Sequence, residues 1–75
     1  MEHMTSKRIA AEVRAIIARD QLSQSVVAKA ANLSDSQFSR RLNGHIPFSA
    51  DEVAAIAKAI GTNVSVLYGE TAYAA

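Results

Sequence analysis

Two copies of one helix-start signature lie fifteen residues apart in this chain, Ser34-Asp35-Ser36-Gln37 and Ser49-Ala50-Asp51-Glu52. In each, the serine hydroxyl can accept the backbone N–H three residues on. The Gln or Glu side chain can return to the serine N–H. Each signature opens a helix, so the first helix must end before the second begins. Asn43-Gly44 provides that end, since glycine adopts the left-handed conformation of a helix stop without strain. The helix between is about eight residues long, too short to persist alone in water. The chain must therefore fold as several short helices that hold one another. Composition agrees: 49% of the 75 residues are hydrophobic, only 5% aromatic, and fifteen are alanine, the best helix former. Without cysteine there is no disulfide framework or thiolate metal cage. A chain this short without staples relies on compact helix packing or self-association. An all-α fold is expected.

The remaining helices follow from periodicity. Thr5 or Ser6 can cap a first helix running to about Arg19, with Ile9, Val13, Ile16 and Ile17 on one apolar stripe. Ser23 can cap a second from about Gln24 to Ala31, with Val27, Ala28 and Ala31 inward and Asn32 as its left-handed stop. Leu33 is a plug in the turn. Phe38 and Leu42 are the buried pair of the third helix. Val53, Ile56, Ala57 and Ile60 form the inward face of the fourth, which Gly61 ends. Asn63 can cap a last short helix holding Val64, Leu67 and Tyr68, closed by Gly69. Met1-Glu2-His3 ahead of Met4 reads as an expression-vector remnant or a disordered start. Residues 1–4 are therefore set apart, the domain is expected over 5–69, and the tail over 70–75 is expected to fray.

Helices two and three are joined by about three residues, Asn32-Leu33-Ser34, with small Ala28 and Ala31 where they must cross closely. That is the layout of a helix-turn-helix, which needs the first and fourth helices beneath it. With Phe38 at the centre of the core face and 100° per residue, Asn43 lies near 140°, Ser36 near 160° and Arg40 near 200°. Ser39 lies at about 100° and Asp35 at about 60°. The outward face is thus Ser36, Ser39, Arg40 and Asn43, short hydrogen-bonding groups around one arginine. Such a face suits close approach to a major groove, where Arg pairs bidentately with guanine O6 and N7. On an isolated helix the same face is more often merely solvated.

Residues 9–69 resemble the phage-repressor/Cro type of helix-turn-helix domain, the lambda-repressor-like or xenobiotic-response-element family. The resemblance lies in Leu22-Ser23-Gln24, Val27-Ala28, Phe38-Ser39-Arg40 and Leu42-Asn43-Gly44. It continues in Ile56-Ala57-Lys58-Ala59-Ile60-Gly61 and in Val64 through Leu67-Tyr68-Gly69. Each piece is weak alone, and their order and spacing make the match specific. It implies a compact five-helix domain with the helix-turn-helix at helices two and three. It also implies roles. Gln24 would clamp a phosphate and brace the recognition helix, and Ser34 would cap that helix and face phosphate. Asp35, Ser36 and Arg40 match base-reading positions, and Ser39 shares their face. Asn43 and the backbone from Gly44 to Phe48 match a second phosphate clamp, and His45 a position often basic in the family. Phosphate contacts set register and base contacts set sequence.

Three departures stand out. Asp35 is an unusual base-reading residue beside a polyanion. It can accept from cytosine N4 or serve only as an N-terminal helix charge, and the second is favoured. Arg41 replaces a large apolar residue and can snorkel over the core edge or reach a phosphate. Ile17 and Leu42 stand where many relatives have a buried Arg–Glu pair, so hydrophobic contact is expected to replace it at little cost.

Net charge is +1, split as +3 over residues 1–48 and −2 over 49–75. Alone this favours neither nucleic acid nor membrane, and ordinary scatter accounts for it. No apolar run approaches the roughly 18 residues of a membrane span. No signal peptide is evident. The chain reads as cytoplasmic, held at the nucleoid through DNA. The expected function is a sequence-specific double-stranded-DNA-binding transcriptional regulator, a repressor or Cro-like homodimer on a pseudo-palindromic operator. Ile46, Phe48, Leu67, Tyr68 and Tyr73 are candidates for the dimer seam. Core packing is preferred for Phe48, Leu67 and Tyr68, and exposure for Ile46 and Tyr73. The alternative is a protein-interaction module of the same fold, such as an antitoxin or adaptor, with weak DNA binding. An enzyme is the weakest reading. His3 and His45 are the only histidines, and no catalytic carboxylate pair, glycine-rich phosphate loop or metal-ligand spacing occurs. No cofactor, metal or small-molecule substrate is expected.

Overall fold

The computed structural model describes the backbone of residues 2–68 and the side chains of residues 6–68. These residues form five helices and no strand: α1 (Glu2–Arg19), α2 (Gln24–Ala30), α3 (Asp35–Leu42), α4 (Ala50–Ile60) and α5 (Val64–Leu67). The expected all-α, five-helix order is observed, with the helix-turn-helix at α2 and α3. α2 packs on α4, α3 packs on α1, and α5 closes against α1 and α4. The helix pair thus rests on the first and fourth helices, as its short length requires.

Serine starts three of the helices. Ser23 Oγ accepts the Val26 N–H at 3.3 Å. At α3, Ser34 Oγ accepts the Gln37 N–H at 3.1 Å and Gln37 Oε1 accepts the Ser34 N–H at 2.9 Å. At α4, Ser49 and Glu52 form the same reciprocal box, at 2.9 and 3.1 Å. Two starts differ from expectation. α1 begins at Glu2, ahead of Thr5 and Ser6. No Gly or Pro interrupts residues 2–8, so nothing stops the helix from extending backwards. Asn63 holds the N-cap position of α5, but its side chain makes no capping bond.

Four helices end in one motif. Just past the end of each, an N–H bonds the carbonyl five residues back: Leu22 to Ile17 O, Leu33 to Ala28 O, His45 to Arg40 O and Thr62 to Ala57 O, all at 2.9 Å. This is the Schellman arrangement, which needs a left-handed residue one step earlier. Asn32, Gly44 and Gly61 supply it at φ 61°, 81° and 77°. At the end of α1 the residue is Gln21, at φ 54°. A side chain with a Cβ is strained there by about 1–2 kcal/mol. Leu22 and Leu33, which follow two of these stops, pack into or against the core.

One hydrophobic cluster joins all five helices. Phe38, Ile56, Leu67, Val13 and Val53 are its largest fully buried members. All the inward positions expected on α1 to α4 are buried, Ala28 and Ala31 included. Ile17 and Leu42 both enter this cluster, where α1 packs on α3. Phe48 packs edge-on against Phe38, with ring centroids 6.0 Å apart and planes at 60°. Leu67 is buried and Tyr68 packs against the core. Ile46 is half-buried rather than exposed. Gly69 and Tyr73 lie outside the described residues.

The two kinds of left-handed stop give opposite substitution effects. Gln21→Gly should raise the unfolding free energy by about 0.5–1 kcal/mol, because glycine relieves the strain. Gly61→Ala should lower it by about 1 kcal/mol, although nothing lies within 4 Å of an added Cβ. Urea unfolding of both variants measures this, and equal signs would refute the strain account.

Candidate nucleic-acid interface

The site is the outer surface of α3 and the turns at its ends. Phe38 and Leu42 hold one side of this helix in the core, so helical geometry directs the opposite side outward. Ser36, Ser39, Arg40 and Asn43 are all exposed, as their angular positions require. Ser39, Arg40, Asn43, His45 and Ile46 line an open groove at the C-terminal half of that face. Asn43 Nδ2 donates weakly to Ser39 Oγ at 3.4 Å. Arg40 has no salt-bridge partner among the described residues, so its five donors face solvent.

At the other end of the helix, Asp35 occupies the first turn, where the positive end of the helix dipole favours a carboxylate. Ser25 Oγ donates to Asp35 Oδ2 at 3.1 Å, tying the start of α2 to the start of α3. Gln24 is exposed at the first position of α2. The Ser34 hydroxyl accepts the Gln37 N–H, which leaves its own proton free to donate outward. Gln24, Ser34, Asp35 and Ser36 thus lie together where the two helices begin.

Two residues expected to meet phosphate are occupied within the fold. Arg41 is half-buried. Its Nε donates to Glu52 Oε1 at 3.0 Å and its Nη1 to the Gln37 carbonyl at 3.0 Å. The paired side chains keep only 15% and 18% of their exposure. Glu52 Oε1 also caps Ser49 N–H, so one oxygen joins α3 to the start of α4. The guanidinium charge is thus directed to Glu52 at the start of α4. The backbone after α3 behaves similarly. The Gly44 N–H bonds Arg41 O at 3.1 Å and the His45 N–H bonds Arg40 O. In the stretch from Gly44 to Phe48 only Ile46 and Phe48 retain unpaired N–H groups, Pro47 having none. Gly44 therefore shapes the turn, and the Asn43 amide and His45 ring are the accessible polar groups there.

Three residues here carry no local signal in the sequence. Ser25 meets Asp35 only because the helices cross. Arg14 Nη1 donates to the Leu42 carbonyl at the end of α3. Lys7 Cγ lies 3.9 Å from where a Cβ on Gly44 would stand. The only hint is that Lys7 and Arg14 are seven apart and so share a helix face. Elsewhere Arg19 hydrogen-bonds Asp20 at 2.9 Å. That bond holds the Asp20 carboxyl below its ordinary range and raises Arg19. Among the described residues there is no cluster of three metal-ligating side chains. No helix there is long and apolar enough to cross a membrane.

The sequence profile of the helix-turn-helix domain, a DNA-binding family, matches residues 8–67. No curated protein and no solved structure matches the chain. The matched span contains all of α2, α3 and α4 and ends at the last residue of α5.

The Arg41–Glu52 link can be isolated, because Glu52→Gln preserves the capping box in the form already present at Ser34 and Gln37. A double-mutant cycle of Arg41→Ala with Glu52→Gln should return a coupling on the order of 1 kcal/mol in urea unfolding. A coupling near zero would show that the pair does not tie α3 to α4.

Proposed function

The chain belongs to the helix-turn-helix domain family, and on that premise we propose that it is a sequence-specific, double-stranded-DNA-binding transcriptional regulator of repressor or Cro-like type. The observation that carries this reading is α3 itself. It is a helix capped at both ends and anchored by Phe38 and Leu42, and the face opposite that anchor presents Ser36, Ser39, Arg40 and Asn43 outward. In the proposed complex this face enters the major groove. Arg40 pairs with a guanine edge, and the serines allow close approach. Gln24 and the Ser34 hydroxyl hold a phosphate at one end of the helix, while Asn43 and His45 hold one at the other. These contacts set the register in which Arg40 reads.

Asp35 is proposed as a brace between α2 and α3 at the surface. It sits at the positive end of α3 and is held by Ser25, which supports the helix-charge role over cytosine recognition. Arg41 is left out of the proposed contacts because Glu52 neutralises it.

The protein is proposed to act as a two-fold dimer on a pseudo-palindromic operator, with half-sites about one helical turn apart. Charge supports this. A net +1 gives one module little non-specific attraction for DNA, so two modules and a few base contacts must provide the affinity.

Selection from random duplex DNA should return a motif with two-fold symmetry. On that motif, Arg40→Ala should lose about 1–3 kcal/mol of binding and relax preference at one base pair. Gln24→Ala should weaken all sequences alike. If Arg40→Ala changes neither affinity nor preference, α3 does not read bases through this face. A binding constant indifferent to salt would favour the protein-interaction module instead.

A further inference from the structure

The C-terminal end of α3 poses an electrostatic problem that the groove residues do not solve. Helix C-termini carry partial negative charge on unsatisfied carbonyls. A phosphate brought to Asn43 and His45 would meet that charge. The Gly44 and His45 amides, which could offset it, are bonded back to Arg41 O and Arg40 O. Arg41 faces Glu52. Arg40 points out along the face proposed to read bases.

α1 supplies the missing charge. Arg14 is exposed yet donates Nη1 to the Leu42 carbonyl, covering one of the negative groups directly. Arginine has five donors, and the others have no partner among the described residues. Lys7 is exposed and lies against Gly44, in the turn itself. The two residues sit two turns apart on one face of α1, roughly 10 Å along its axis. Ala10, between them, is buried, which keeps that face close to its neighbours. Glu12 is about 140–160° around the helix from both, so among the described side chains of α1 no carboxylate shares their face.

We propose that Lys7 and Arg14 form a sequence-independent phosphate site with Asn43 and His45, so that α1 holds the sugar-phosphate backbone of one DNA strand at the C-terminal end of α3. The site converts the negative end of the helix into a positive surface. Lys7 precedes the stretch matched by the family, residues 8–67, so its part follows from this chain's own geometry. The inference rests on the DNA-binding reading above and adds contacts outside the helix-turn-helix.

The test compares salt dependence of binding for a duplex carrying the selected motif and a scrambled duplex of equal length. Lys7→Ala should reduce the slope of log K against log salt by about 0.9 on both duplexes. At 0.15 M salt it should weaken both by about fivefold. Arg14→Gln keeps an amide donor for the Leu42 carbonyl but removes the charge, and should lower the slope similarly. Arg14→Lys keeps the charge and should leave the slope as it is. A purely structural role for Arg14 would change thermal stability and leave the Arg14→Gln slope unchanged. Unchanged slopes in both Lys7→Ala and Arg14→Gln, with the unsubstituted protein binding normally, would overturn this site alone. So would losses confined to the selected motif. Failure of the unsubstituted protein to bind either duplex would overturn the DNA-binding reading and this site with it.

Discussion

The burial of Phe38 is the contact on which the rest of the molecule depends. An eight-residue helix has too few internal hydrogen bonds to offset its nucleation. α3 persists because Phe38, almost fully enclosed, packs among α1, the core and the edge of Phe48. Leu42, one turn on, holds the same face. This anchoring fixes more than stability. Once Phe38 points inward, the 100° step of the helix leaves Ser36, Arg40 and Asn43 no direction but outward. A single apolar side chain thus aims the polar face of the site.

Around that anchor, the ends of α3 are balanced in opposite ways. The N-terminal end carries Asp35, a carboxylate where the dipole is positive, held by Ser25 from α2. The C-terminal end gathers arginines where the dipole is negative, with Arg40 and Arg41 in the last turn and Arg14 arriving from α1. These cations differ in availability. Arg41 is neutralised by Glu52 and becomes a strut between α3 and α4. Arg40 and Arg14 keep donors facing solvent. The small net charge of the chain therefore understates the positive character of one end of one helix, since partner geometry decides which charges remain free.

Most of the architecture was legible in the sequence because its determinants are local. A capping box is a four-residue event, and both boxes formed as read. Asn32, Gly44 and Gly61 mark stops because few other residues tolerate positive φ. The inward faces followed from spacing along single helices. Gln21 is the instructive exception. It adopts the left-handed conformation without the residue type that usually signals it, because Leu22 has an apolar site to fill beyond the turn. Asn63 is the reverse case, a residue of capping type whose side chain does not cap.

The sequence by itself determined which segments are helices, where most of them stop, which side of each is apolar, and which polar residues α3 can display. Each of these depends on residues within one or two helical turns, where backbone geometry leaves little choice. Tertiary structure alone decided how those polar residues are used. Arg41 and Glu52 are eleven residues apart, Ser25 and Asp35 ten, and Arg14 and Leu42 twenty-eight. No periodicity relates such pairs. They meet because α3 crosses α1 and abuts the start of α4, and that crossing assigns one arginine to the fold and leaves another facing solvent.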